Sequence, residues 1–189
     1  IEAQEKRKTL SELLKASEIS KRRIKQFKDS IAKSRHVWWK IRPHLDYNTL
    51  EFRICDAQRS LGNIRLLASL CRALVHSAYV NFDETKLSKN LSVEFLNDSL
   101  WKASRFNFNS LVYDEISNTN LTMKNLTEKM YNYCKKSLDL FGDKDVETTL
   151  NYILNKGTEG DEQIKIYNEG GFDKLKLHLM NNVDYLEKE

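Results

Sequence analysis

One proline and six glycines in 189 residues are too few for a sandwich of short strands joined by tight turns, and too few for a disordered chain. They favour long helices. The three cysteines, Cys55, Cys71 and Cys134, are odd in number, widely spaced and without a C-x-x-C pairing. That excludes the usual zinc and redox arrangements and predicts reduced thiols, with Cys71 in the core. No apolar run approaches about eighteen residues and no secretory leader is visible, so neither a membrane span nor a membrane partner is predicted. The expected location is cytoplasmic, and a first residue of Ile1 rather than Met predicts a piece of a longer gene product. A glycine-rich phosphate loop, G-x-G-x-x-G, H-E-x-x-H and a Ser or Cys elbow are all missing, which removes the common nucleophilic enzymes. His36, His44, His76 and His178 are scattered, with no partner at metal-ligating spacing.

A hydrophobic content of 40% in a chain of this length is enough for one domain with a core of its own. Charge is distributed unevenly: residues 1–45 hold 13 Lys or Arg against 5 acidic residues, a net of +8, leaving −4 for the remainder. A basic stretch of this kind faces nucleic acid, a nucleotide or an acidic neighbour, or is a solvated helix face.

The apolar pattern sets the elements. Leu10, Leu13, Leu14, Ile24, Phe27 and Ile31 recur at helical spacing behind a capping box at Thr9–Glu12, which predicts a helix or helix pair over 9–33. Two β-like segments follow, 36–42 and 49–55, and the turn-forming residues from Pro43 to Asn48 join them into a hairpin. A period of two sends Leu50, Phe52 and Ile54 to one face and Glu51, Arg53 and Cys55 to the other. Helices are predicted over 58–80, with a stripe through Leu61, Ile64, Ala68, Cys71, Val75 and Ala78 widened by Leu66, Leu67, Leu70 and Leu74, and over 92–105. After a less regular piece at Leu111–Tyr113, further helices run over 122–141, 146–155, 161–169 and 173–186, stopped by Gly142, Gly157 and Gly170-Gly171. The fold class is therefore α+β and predominantly helical.

By spacing alone, Glu51 and Arg53 are same-face neighbours on a strand, which an exposed ion pair would also explain. The order of residues around them says more. Trp38-Trp39-Lys40-Ile41-Arg42-Pro43, a loop, and then Thr49-Leu50-Glu51-Phe52-Arg53-Ile54-Cys55-Asp56-Ala57-Gln58 before a long apolar helix closely resembles the hairpin of the type 2 glutamate-cysteine ligases and carboxylate-amine ligases. Downstream, Trp101, Ala103 and Arg105 match the family's Asn-x-Trp-Arg-Ala-x-Arg-Tyr-Gly stretch, while Ser99, Lys102 and Asn107 stand where it has Asn, Arg and Gly. The segment Lys156 to Gln163 with Tyr167 is similar to its Gly-Thr turn into a helix, with Glu162 in place of a basic residue. The resemblance covers roughly residues 36–186.

The resemblance implies a fold like that of glutamine synthetase and the guanidino kinases, an antiparallel sheet backed by helices, of which this chain supplies one hairpin. It makes residues 1–189 the C-terminal part of one catalytic domain: a leading helical segment 1–35, an active-site hairpin 36–56 and a helical region 57–189. It further implies an ATP- and Mg2+-dependent ligase joining a carboxylate, glutamate in the leading case, to an amine such as cysteine, the amide of glutathione biosynthesis. Glu51 would ligate the metal and Arg53 would contact the transferred phosphoryl group and the nucleotide. Arg42 would bind nucleotide or substrate, with Arg105 and Trp39 on the substrate, although structural ion pairs account equally for the two arginines. The remaining acidic and histidine-bearing strands are expected in cis or on a partner chain, and the fragment alone is expected to be inactive; a homodimer is one way to cover the open strand edges. Two other readings compete: a non-catalytic regulatory or scaffold subunit, and a nucleic-acid-binding protein using Lys21-Arg22-Arg23-Ile24-Lys25. The latter leaves the Glu51 and Arg53 alternation unexplained, so no nucleic-acid partner is expected.

Overall fold

The computed structural model describes residues 38, 40–44, 47, 49–81, 93–114 and 117–181. The leading helix, the basic patch at 21–25, the link from 82 to 90, and Trp39 lie outside the described residues. The chain divides into two units, Ile1–Asp56 and Ala57–Glu189.

In the first unit, β1 (Ile41–His44) and β2 (Thr49–Phe52) pair antiparallel, with Arg42 opposite Glu51 and Ile41 opposite Phe52. The described part of the first strand therefore runs on through Pro43, which the sequence placed at a strand end. The ladder explains how. Arg53 N–H donates to Lys40 O at 2.9 Å, and antiparallel pairs alternate between bonded and non-bonded, so Pro43 falls in a non-bonded pair with Leu50. The nitrogen that carries no hydrogen faces away from β2, and no ladder bond is lost.

In the second unit, α1 (Leu61–Val80) starts at Ser60, whose hydroxyl accepts from Asn63 N–H, and α2 spans Val93–Phe106. A single 3-10 turn, Asn107–Asn109, leads into β3 (Leu111–Asp114), which pairs antiparallel with β4 (Thr119–Thr122). Then come α3 (Met123–Phe141), capped by the Thr122 hydroxyl, α4 (Val146–Lys156), and α5 (Glu159–Asn181), whose helical course is interrupted at Gly170 and Gly171. The glycine stops stand where the sequence put them, and the hairpin β3–β4 is an addition. Asn107 adopts φ 54, a left-handed conformation that asparagine tolerates better than most residues, where the resembling family has glycine.

The core forms where α1 packs on α3 and α4, and brings together Leu66, Leu70, Ala73, Tyr131, Cys134, Leu138, Val146, Leu150 and Leu154. This corrects the expected stripe of α1. Leu61, Ile64 and Val75 are exposed and Cys71 only half-buried, whereas Leu66, Leu70 and Leu74, read as widening the stripe, carry the contact, and Cys134 is the fully buried thiol. Polar groups share the seam: Ser77 and Ser137 hydroxyls lie 2.6 Å apart, and His76 Nδ1 is 2.9 Å from Ser137. Their small volumes, with Ala73, let α1 and α3 approach closely. Tyr131 is pushed up to about 12 by burial and by its hydrogen bond to Glu147.

The end of α3 is closed by Gly142 at φ 75, with Asp143 N–H returning to Leu138 O at 2.9 Å. An added Cβ would meet nothing within 4 Å, so the cost of Gly142→Ala is conformational alone. It is expected to be about 1–2 kcal/mol in urea denaturation. A loss of only a few tenths would show that the turn does not hold this geometry.

Candidate functional site

Pairing and pleat place Lys40, Arg42, Glu51 and Arg53 on one face of the hairpin. Arg42 donates from Nε to Glu51 Oε2 at 2.7 Å, and its Nη2 lies 2.5 Å from the same oxygen. The Arg42 side chain is well covered, at 12% exposure, while Glu51 keeps 45%. A flexible surface pair contributes little, but a covered guanidinium with two nitrogens on one oxygen is a fixed one. Arg53 lies one residue past β2, held by its backbone bond to Lys40, the residue before β1, and its guanidinium sits 4.9 Å from the centroid of the exposed Trp38 ring. Stacking on an indole leaves the edge of the guanidinium fork available to an anion.

The face thus carries three cations and one carboxylate, a balance suited to phosphate groups. No cluster of three or more metal-ligating side chains exists among the described residues. One carboxylate still fits magnesium bound to a nucleotide, because that ion takes one or two protein carboxylates and fills its shell with phosphate oxygens and water. The Nε and Nη2 contacts of Arg42 to Glu51 fall on the same oxygen, Oε2.

Of the residues singled out in the sequence, the fold brings Arg42 and Glu51 into contact, with Arg53 beside them on the same face. Arg105 belongs to the second unit, near the end of α2, exposed and with its guanidinium 5.9 Å from the Phe106 ring centroid. No helix of the described residues is long and apolar enough to cross a membrane.

A second polar centre lies in the helical unit, where the segment Lys156 to Gln163 noted in the sequence meets Arg59, which was not singled out there. Arg59 donates from its backbone N–H to Glu159 Oε2 at 3.3 Å and from Nε to Oε1, and its Nη2 lies 3.5 Å from Glu162 Oε2. The two main partners are largely covered, at 17% and 11% exposure. Burial pushes the Glu159 carboxyl up, but the hydrogen bonds and charge of Arg59 outweigh it and hold the group below its usual range. Glu159 also accepts from Gln163 at 3.2 Å. The turn before it is pinned: Asp161 accepts from Thr158 N–H at 2.7 Å and from Asn107 Nδ2, which also donates to Thr158 Oγ1 at 2.8 Å. Gly157 is required there, with φ 100 and an added Cβ only 2.8 Å from Asp161 Oδ2. Partners 100 residues apart leave no local signal in a sequence.

The sequence model of glutamate-cysteine ligase family 2 matches residues 2–177. A protein of Solibacter usitatus named "Putative glutamate--cysteine ligase 2" is 26% identical over 159 residues, 84% of this chain and 40% of its own length. Proteins of the same name from Chloroflexus aggregans and Gloeobacter violaceus are each 28% identical, over 140 and 143 residues, 74% of this chain in both cases and 36% and 38% of their own lengths. The chain therefore spans about two fifths of the length of these curated relatives. Since the family match runs over nearly the whole sequence and includes the hairpin, this chain belongs to glutamate-cysteine ligase family 2.

Proposed function

We propose that this chain forms part of an ATP-dependent carboxylate-amine ligase, with the hairpin face as its phosphate-handling surface. The observation that carries the reading is the cross-strand Arg42–Glu51 pair with Arg53 beside it on one face, in a chain of this family. In such a reaction a substrate carboxylate oxygen attacks the γ-phosphorus of ATP and ADP leaves. The amine nitrogen then attacks the acyl carbon of the acyl phosphate, inorganic phosphate departs, and the nitrogen loses a proton.

Phosphoryl transfer depends on positioning and on neutralising charge, and both fall to residues of this face. Arg53 spans two oxygens of the moving phosphoryl group with its planar fork, held in plane by Trp38. Arg42 fixes the Glu51 carboxylate and adds charge toward a phosphate or a substrate carboxylate. Glu51 is the residue that would hold magnesium, which would supply charge to neutralise phosphate oxygens. Trp39 and Arg105 remain assigned to the amino-acid substrates, glutamate and an amine for which cysteine is the leading case. The rest of the sheet comes from the remaining part of the protein, in cis or on a partner chain.

The test is ADP release by the full-length protein with Mg-ATP, glutamate and a panel of amino acids. Wild type should release ADP in an amino-acid-dependent way, and Glu51→Gln should lower the rate by on the order of a hundredfold, as expected for loss of one preorganised electrostatic contact. Release that never occurs, or that ignores Glu51, would leave a non-catalytic family member as the better reading.

A further inference from the structure

We propose that Lys40 is a further phosphate-binding residue of the hairpin face, where it and Arg53 close from opposite strands on one phosphate group. That this group is the phosphoryl in transit rests on the ligase reading; the two-cation clamp stands on the hairpin alone.

Ile41 lies opposite Phe52, so the next pair outward is Lys40 with Arg53, and the 2.9 Å bond from Arg53 N–H to Lys40 O ties them together. Side chains directly opposite on antiparallel strands project from one face with Cβ atoms about 5 Å apart. Like charges in that position repel, whereas an acid opposite a base stabilises. The hairpin has the stabilising arrangement one rung away, where Arg42 meets Glu51, and then sets two cations against each other.

Nothing described on the hairpin relieves that repulsion. Glu51 is engaged by Arg42, and among the described residues neither Lys40 nor Arg53 enters an ion pair. The contact of Arg53 with Trp38 is to the ring, which leaves the N–H edge of its fork open, and Lys40 is exposed with three donors on its ammonium. An anion between the two would turn the repulsion into attraction. A carboxylate carries one charge and two oxygens, which an arginine fork satisfies by itself. A phosphate group carries about two charges and three free oxygens, so a second cation from the other strand still finds charge and an acceptor. The two cations also differ in kind. Arg53 is planar and oriented by its indole, while Lys40 is a compact charge on a flexible stem that follows the group as it moves. Under the ligase reading Lys40 therefore touches the reacting group and is a catalytic residue.

The experiment uses the full-length protein with Lys40→Gln, Lys40→Glu and Lys40→Arg, and with Lys136→Gln, an exposed lysine of α3, as the control for lost charge. Three quantities are read: broadening of the phosphorus NMR line of inorganic phosphate at constant ionic strength, kcat for ADP release, and the urea midpoint. Support is a loss of about ten- to a hundredfold in phosphate affinity and in kcat for Lys40→Gln, the range for one hydrogen bond to a charged group. Lys40→Arg should keep most of both, and Lys136→Gln should change neither. Lys40→Glu gives Arg53 an acid opposite it, so its urea midpoint should equal or exceed that of wild type while phosphate binding is lost. Equal phosphate broadening in wild type and Lys40→Gln overturns the clamp, as does a loss that Lys136→Gln reproduces. Midpoints lowered in both Lys40→Gln and Lys40→Glu would make Lys40 structural and overturn it too. Phosphate binding lost with kcat intact overturns the catalytic role alone. A wild-type protein that never releases ADP sinks the ligase reading, while the phosphate titration still decides the clamp.

Discussion

Leu138→Ala is expected to lower the stability of the fold by about 2–5 kcal/mol, the range for emptying a leucine site in a packed core. Leu138 is 1% exposed in the last turn of α3, and the cluster it belongs to includes Cys134, Leu66 and Leu70. Those neighbours sit on helices pinned at their ends by Ser60, Thr122 and the Gly142 turn, so they have little freedom to collapse into the gap. Against a net stability of roughly 5–15 kcal/mol, such a loss is a large share. In urea, a 3 kcal/mol loss at a slope of about 2 kcal/mol/M would bring the midpoint down by about 1.5 M with the slope unchanged. Leu61→Ala on the opposite, exposed side of α1 should shift the midpoint far less. Equal shifts for the two would mean that α1 is turned the other way in its packing.

Arg53→Ala in the full-length protein is expected to cut amino-acid-dependent ADP release by on the order of a thousandfold, the scale for losing an arginine that stabilises charge on a transferred phosphoryl group. Arg53→Lys should recover only part of it. A lysine keeps the charge but cannot stack flat on Trp38 or span two oxygens, and the 4.9 Å contact between guanidinium and indole is what orients the fork. The diagnostic is the pattern across kcat and KM: a contact realised in the transition state lowers kcat, whereas one made equally in the ground state raises KM. A loss below about tenfold for Arg53→Ala would move the phosphoryl contact to another cation of that face, Lys40 directly opposite or Arg42.

How much of this was legible in the sequence depended on the range of the cause. Helix ends were legible because caps are local. Ser60, Thr122, Gly142 and Gly157 act within a turn of themselves, and the helices stop within a few residues of their expected positions. The hairpin face was legible because a period of two needs only Leu50 to Arg53 to declare itself. The orientation of α1 was not. Its apolar residues wrap most of the way round, so the sequence offered two stripes, and the choice between them is made by which one α3 and α4 cover. The β3–β4 hairpin was missed for another reason: Thr119-Asn120-Leu121-Thr122 is short and polar. Its partner strand declares itself mainly through Val112, and through Asp114, whose burial is compensated by Lys129 and Ser117. Asn107 looked like a departure from the family's glycine, yet its left-handed backbone keeps the turn and its amide joins the Asp161 network.

The placement of Pro43 also gives the small sheet a direction of growth. The outer edge of β1 offers a neighbouring strand the N–H of Ile41 but no donor at Pro43, whereas the outer edge of β2 presents donors at both Leu50 and Phe52. An incoming strand therefore finds a full template on the Leu50–Phe52 side and a blunted one on the other. Among the described residues, then, the two edges of this hairpin differ as templates for an added strand, and a single imino acid makes the difference.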